Sequence, residues 1–422
     1  MEQRAPGHLL VLALALSPVA AAAQAEPPAP PPAKLTIVPF AALSGDVPQR
    51  AGAKAAGMLS TELRNTDGVQ LVDTKRGSTA DPYQEGLDRA RKLVDEAKQH
   101  RKARKFRLAE EALEKALAEY RASAPGLSDT GELADTWALL SAVQFNTGRD
   151  EQGRASLDLA LAVAPTRELP LAATSPLFNR VVQDAKRALQ QAPRGTLLVE
   201  STPPGAGVNV DGVGLGNAPL QVKDVPPGQH VWKVSLPSGE ATGGLVEVAS
   251  GRQAKVAGQT QAKDPESRLV ATLAQNKLDA EVVSAVREQA KASDSELVLF
   301  GALSKEGKGL GLDTFLFSAA SGEVRRLPHL VFDTELLSAG MEFFNLAGQI
   351  KDRGGKIGEA VKVPGPVSLE AVLGGTKVAE AQYGVQAGKE QTLDTEAAEP
   401  TKETGPRVPL EPKKRVPLKK SK

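Results

Sequence analysis

The chain has 422 residues, 41% of them hydrophobic, so it can build ordinary cores, and its length points to roughly two to four domains. A formal net charge of +1 excludes a global field steering it toward nucleic acid or acidic partners. It has no cysteine, which excludes a disulfide framework and a lipid-bearing cysteine, and aromatics are only 4%, so the cores rest on Ala, Val and Leu.

The first residues follow the plan of a secretory signal peptide. Arg4 supplies the positive start, Leu9 to Leu16 the apolar stretch, Pro18 the break, and Ala23-Gln24-Ala25 the small-x-small cleavage site. The apolar run is short for a bilayer span, so residues 1–25 are expected to be cleaved rather than kept as an anchor. No later segment has eighteen consecutive apolar residues. A large exported chain without cysteine suits the periplasm or cell envelope of a Gram-negative bacterium.

Residues 26–34 (EPPAPPPAK) read as an extended Pro-rich spacer. Within 35–80 a small β-α-β pattern follows: a strand from Leu35 to Phe40, a helix face at Ala56, Leu59 and Leu63, the Asp67-Gly68 turn, and a strand from Val69 to Val72. The stretch KLTIVPFAALSGD, the helix and GVQLVD resemble the opening of the TolB amino-terminal and CsgG-like periplasmic family. That resemblance implies a small α/β domain, although the family's continuation is missing after Asp73.

Residues 81–193 have helical composition. Leu87, Ala90, Val94 and Ala97 share one face, and Leu108, Ala112, Leu113, Ala116 and Tyr120 continue the spacing. Trp137, Leu140, Phe145, Gly148, Leu157, Ala160 and Pro165 fall close to the spacing of a tetratricopeptide unit, with Gly148 at the turn and Pro165 closing the second helix. Ser141 and Gly153 take small-residue positions, and Gln144 stands where that pattern has Tyr. The resemblance implies a concave surface for a protein or peptide.

Over 194–258 the period changes to two, with Leu197 and Val199, Val208 and Val210, and Trp232, Val234 and Leu236 as alternating strand residues. The segment resembles the PEGA domain, a small β module of bacterial envelope proteins. Its motif residues are Pro203, Gly205 and Ala206 (with Pro204 where the family has Glu), then Asp211-Gly212, Gly216, Pro219, Gly228 and His230. Their role is structural: Pro227-Gly228, for instance, suits a type II turn.

Over 264–351 α/β character returns. Val283, Val286 and Ala290 mark a helix, ELVLFGAL (296–303) a buried strand, Gly307-Lys308-Gly309 a turn into Leu310 to Phe317, and Leu337, Met341 and Phe344 a last helix. This stretch resembles the second half of the CsgG-like domain. The expected fold is therefore multi-domain α+β: a split α/β domain interrupted by a TPR-like helical region and an all-β, sandwich-like PEGA module. The alternative is two independent α/β subdomains. Residues 352–422 lose periodicity and read as a disordered tail, with a repeated Arg-Val-Pro-Leu (407–410, 415–418) and a basic end.

No catalytic, cofactor or metal site emerges. His8, His100, His230 and His329 lie far apart in sequence, and His230 reads as an edge-of-core histidine beside Trp232. No G-x-S-x-G occurs, and Gly301 to Gly309 has the wrong spacing and context for a phosphate loop. The basic helix Arg89 to Arg107 reads as a solvated face. The expectation is a non-enzymatic exported scaffold or adaptor with protein or peptide partners in the envelope and weak anionic-surface contact through its basic end. A CsgG-like structural or export-associated outer-membrane component is the alternative.

Overall fold

The computed structural model describes residues 32–73, 81–236, 239–262, 264–369 and 378–386. The signal-peptide reading, most of the spacer, and the repeat and basic end beyond Gln386 lie outside the described residues.

The first unit comprises β1 (Ala33–Ile37), β2 (Ala41–Ala42), α1 (Ala51–Arg64) and β3 (Val69–Leu71). Helices α2 (Gln84–Lys102), α3 (Phe106–Ala122), α4 (Gly131–Asn146), α5 (Asp150–Val163), α6 (Pro170–Thr174) and α7 (Pro176–Gln191) follow. A β module then runs through β4 (Gly195–Thr202), β5 (Gly207–Val210), β6 (Val213–Asn217), β7 (Leu220–Val225), β8 (Gly228–Ser235), β9 (Ala241–Val248) and β10 (Gln253–Gln259). The rest is α8 (Pro265–Leu273), β11 (Lys277–Leu278), α9 (Ala280–Ser293), β12 (Leu297–Glu306), β13 (Gly309–Ser318), β14 (Val324–Arg326), β15 (Leu330–Asp333), α10 (Ala339–Arg353), β16 (Glu359–Ala360), β17 (Gly365–Pro366) and β18 (Ala379–Gln382).

The largest sheet runs β16-β14-β13-β12-β1-β3, with β15 on β13 and β2 on β12. β1 lies parallel between β12 and β3, with Leu35 opposite Leu297 on one side and Leu71 on the other. β12 and β13 are buried on both faces, which is why they read as apolar runs rather than alternations. One face packs on α1 and α10 through Leu35, Leu59, Leu63, Leu299, Phe343 and Ile350. The other packs on α8 and α9 through Leu269, Val282, Val286, Val298, Phe300 and Phe315. Both latter helices start at aspartate caps: Asp264 accepts from Ser267 N, and Asp279 from Glu281 N and Val282 N.

The β module is two sheets face to face, β10-β4-β7-β18 and β6-β5-β8-β9, around Val199, Val208, Leu220 and Val234. It touches both neighbours. Val231 and Leu245 join the helical core. On the other side, Asn217 Nδ2 donates to Val47 O at 2.7 Å and its backbone N to Gly45 O at 3.0 Å.

Three expectations are corrected. β1 begins at Ala33, inside the stretch assigned to the spacer, because Ala33 N already donates to Gly68 O. The disordered reading of 352–422 fails at the described residues 352–369 and 378–386, since β16 pairs with β14, β17 with β11 and β18 with β7. Those strands are two to four residues long, too short for a period to register, and each is fixed by a distant partner. Finally, Leu337, Met341 and Phe344 do not face the core. They are 80%, 74% and 66% exposed, while Ala339, Phe343, Leu346, Ala347 and Ile350 are buried.

Candidate functional site

α2 and α3 pack as a hairpin, and α4 with α5 repeats the arrangement around the turn at Gly148, whose φ of 74° is the left-handed value glycine tolerates. Of the tetratricopeptide-like residues, Leu140 and Ala160 are buried, Trp137 is half-buried, and Pro165 follows the end of α5. Ser141 Oγ donates to Gly153 O at 2.6 Å, which ties the two helices together.

Between α2, α4 and the short α6 opens a cavity of about 600 Å3. Its apolar wall is Val94, Ala138, Leu139 and Leu171. Its polar wall is organised on Glu132. Arg91 donates to both carboxylate oxygens, from Nε at 2.9 Å and Nη2 at 3.0 Å, and Tyr120 donates from its hydroxyl at 3.3 Å. Burial and the Glu132 charge push the Tyr120 hydroxyl up to about 12, so it remains a donor. The hydrogen bond to Glu132 likewise holds Arg91 above the ordinary guanidinium value. Arg167 clamps Asp135 at 3.0 and 2.8 Å. Arg101 also lines the cavity, with a buried Nε that has no hydrogen-bond partner among the described residues. The basic helix presents the solvated face expected of it: Lys98, Lys102, Arg104 and Lys105 are exposed, and Arg89 with Glu119 and Lys98 with Asp95 form surface ion pairs along it.

In the β module, Asp211-Gly212 forms the two-residue turn between β5 and β6, both residues at positive φ (48° and 84°), as a type I′ hairpin requires. That turn aims the Asp211 carboxylate inward. Oδ1 accepts from Val231 N at 2.7 Å, and Oδ2 meets His230 Nδ1 at 2.6 Å. His230 Nε2 meets Pro226 O at 2.7 Å. Both ring nitrogens therefore face acceptors, which only the doubly protonated ring can serve. Burial alone would lower the histidine, but the Asp211 charge and hydrogen bond, with the Pro226 carbonyl, hold it above its ordinary value. The edge-of-core reading of His230 is corrected: it is 0% exposed, because Asp211 supplies the charge that lets it be buried. Trp232, by contrast, is half-buried at the rim of the module's core. A residue no motif indicated completes the group: Tyr383, after β18, donates to Asp211 Oδ2 at 2.8 Å.

The remaining motif residues build turns and contacts. Ala206 is fully buried, Gly205 and Gly216 sit at positive φ, Gly228 packs on Ala162, and Pro203 and Pro219 follow cis peptide bonds. A further polar cluster lies on the large sheet, where Asp313 meets Arg326 at 2.9 Å and His329 bridges Asp313 and Glu306. Among the described residues, no group of three or more His, Cys, Asp or Glu could hold a metal ion. None of the described helices is long and apolar enough to cross a membrane.

Residues 194–262 match the family model of the PEGA domain. The match confirms the β module's family and extends it slightly past the expected end at 258, to include the close of β10. Comparison with curated proteins and with solved structures returns no match.

Proposed function

We propose that the protein is an exported, non-enzymatic component of the bacterial envelope that works as an interaction scaffold or adaptor. The TPR-like helices receive a protein or peptide in the α2–α4–α6 groove, and the PEGA module braces them. The observation that carries this reading is the groove itself: an apolar wall of Val94, Leu139 and Leu171 faces the Arg91–Glu132 and Arg167–Asp135 pairs, so that a ligand buries apolar surface beside carboxylates that already have partners. Export rests on the leader-like start of the sequence, and the basic end of the chain adds weak contact with anionic surfaces.

One observation favours a second reading, an export-associated component of CsgG-like type. β1 pairs with β12, which joins in one sheet the two stretches that carry that resemblance. On this view 35–80 and 264–351 are a single domain split by the helical and PEGA insertions. The absence of a cysteine for a lipid anchor weighs against it.

Affinity capture from envelope extracts with mass spectrometry separates the two. The scaffold reading expects a soluble partner that binds the native chain and is lost with Val94→Glu, which places a charge on the groove wall. A ring-forming outer-membrane complex indifferent to that change supports the export reading. Equal capture by both chains with no such complex rules out the groove.

A further inference from the structure

The sheet β10-β4-β7-β18 closes on a strand from outside the PEGA segment. β10, β4 and β7 lie within 194–262, whereas β18 returns from beyond the large sheet. Without it, β7 would present a row of unpaired N–H and C=O groups, a ready template for another strand. β18 fills that edge in parallel, with Ala379 opposite Leu220, Ala381 opposite Val222 and Gln382 opposite Lys223, and Tyr383 N donates to Lys223 O at 3.0 Å.

The side chains divide by face. Glu380 meets Lys223 and Gln382 meets Asp224 on the outside, and the first pair is about half exposed, so it adds little hold. Ala379, Ala381 and Tyr383 turn inward onto the PEGA core. The tyrosine ring stands edge-on to His230, centroids 5.5 Å apart and planes at 74°, and its hydroxyl ends on Asp211. Asp211 does not depend on β18 for its position. The β5–β6 turn, Val231 N and His230 fix it from within the module. The receptor for the hydroxyl is therefore preorganised, and the strand contributes only the ladder and one anchor. That is how strand-addition sites work: main-chain bonds give affinity, and alternate side-chain positions give selectivity.

We propose that the β7 edge and the Asp211–His230 recess form a peptide-binding site that reads small residues at alternate positions followed by a tyrosine, and that the chain keeps the site closed with its own residues 379–383. The ligand class is an extended partner segment of the pattern small-x-small-x-Tyr, with polar residues at x. Because the resident strand is tethered, its effective concentration is in the millimolar range, and a free segment competes poorly until the anchor is released.

The test uses the full chain and a fluorescein-labelled peptide of residues 378–386 (VAEAQYGVQ), read by anisotropy. Tyr383→Ala in the chain removes the resident anchor and should tighten peptide binding about tenfold or more over the native chain. Ala381→Asp, which puts a carboxylate against the PEGA core while leaving the recess intact, should open the site equally and guards against a folding defect in the first variant. Against either opened chain, a peptide with Phe for Tyr should bind roughly tenfold weaker, through loss of the hydrogen bond to Asp211, and one with Ala weaker still. The proposal falls if neither variant binds the peptide more tightly than the native chain, or if the Phe and Ala peptides bind as well as the Tyr peptide.

Discussion

Glu132 in the helical groove and Asp211 in the PEGA module are held by the same kinds of group, a cation and a tyrosine hydroxyl. Arg91 and Tyr120 serve one, His230 and Tyr383 the other. Their surroundings differ. The Arg91 and Glu132 side chains are 41% and 32% exposed, those of His230 and Asp211 0% and 4%. In the groove, water shares the solvation of both charges, so the pair can part to admit a ligand at small cost. In the PEGA module neither partner can leave without stranding the other in a low dielectric. A similar polar inventory makes an adjustable wall in one place and a fixed internal brace in the other.

The largest test of that contrast is Asp211→Ala. It leaves His230 facing only Pro226 O and puts alanine at a positive φ, so it should cost about 3–5 kcal/mol in a chemical melt. A loss below about 1 kcal/mol would show that the pair is not the brace described here.

Next comes pH. The folded His230 is raised above its ordinary value, so its contribution is fully present below the unfolded histidine pKa, near 6.5, and is lost as pH climbs through the raised folded value. PEGA protection in amide exchange should therefore fall from neutral toward alkaline pH. His329 is raised as well, held against burial by Glu306 and Asp313, so the measurement belongs in a His329→Gln background. A profile unchanged by Asp211→Asn would mean that another group titrates. The groove pair should show no such slope, since Arg91 stays charged throughout.

Arg91→Ala should then cost at most about 1 kcal/mol of stability, shrinking further in high salt. Tyr120→Phe should have the smallest effect, about 0.5 kcal/mol, because its 3.3 Å bond is long. A loss of several kcal/mol from either change would place the groove with the PEGA brace rather than opposite it.

The sequence carried much of this where the signal is local. The Asp211-Gly212 turn, the alternation through Val208 and Val210, and the apolar runs that become β12 and β13 were all legible, as was the glycine turn at Gly148. The carboxylates' partners were not, because Arg91 meets Glu132 and Tyr383 meets Asp211 across stretches that no period links. Tyr383 follows the strand Ala-Glu-Ala-Gln, whose small inward residues are too weak a pattern to distinguish from a tail. In α10 the difficulty was an excess of signal. Leu337, Met341 and Phe344 keep helical spacing as faithfully as Phe343, Leu346 and Ile350, and only the sheet decides which stripe is covered.

β1 is not an edge strand but lies between β12 and β3, parallel to both. Tension reaching Ala33 from the preceding residues runs along the strand and across its ladder bonds, so both ladders are loaded in shear and must slip together rather than unzip one bond at a time. A chain tethered at its amino-terminal side would thus carry mechanical load through an interior strand of its largest sheet.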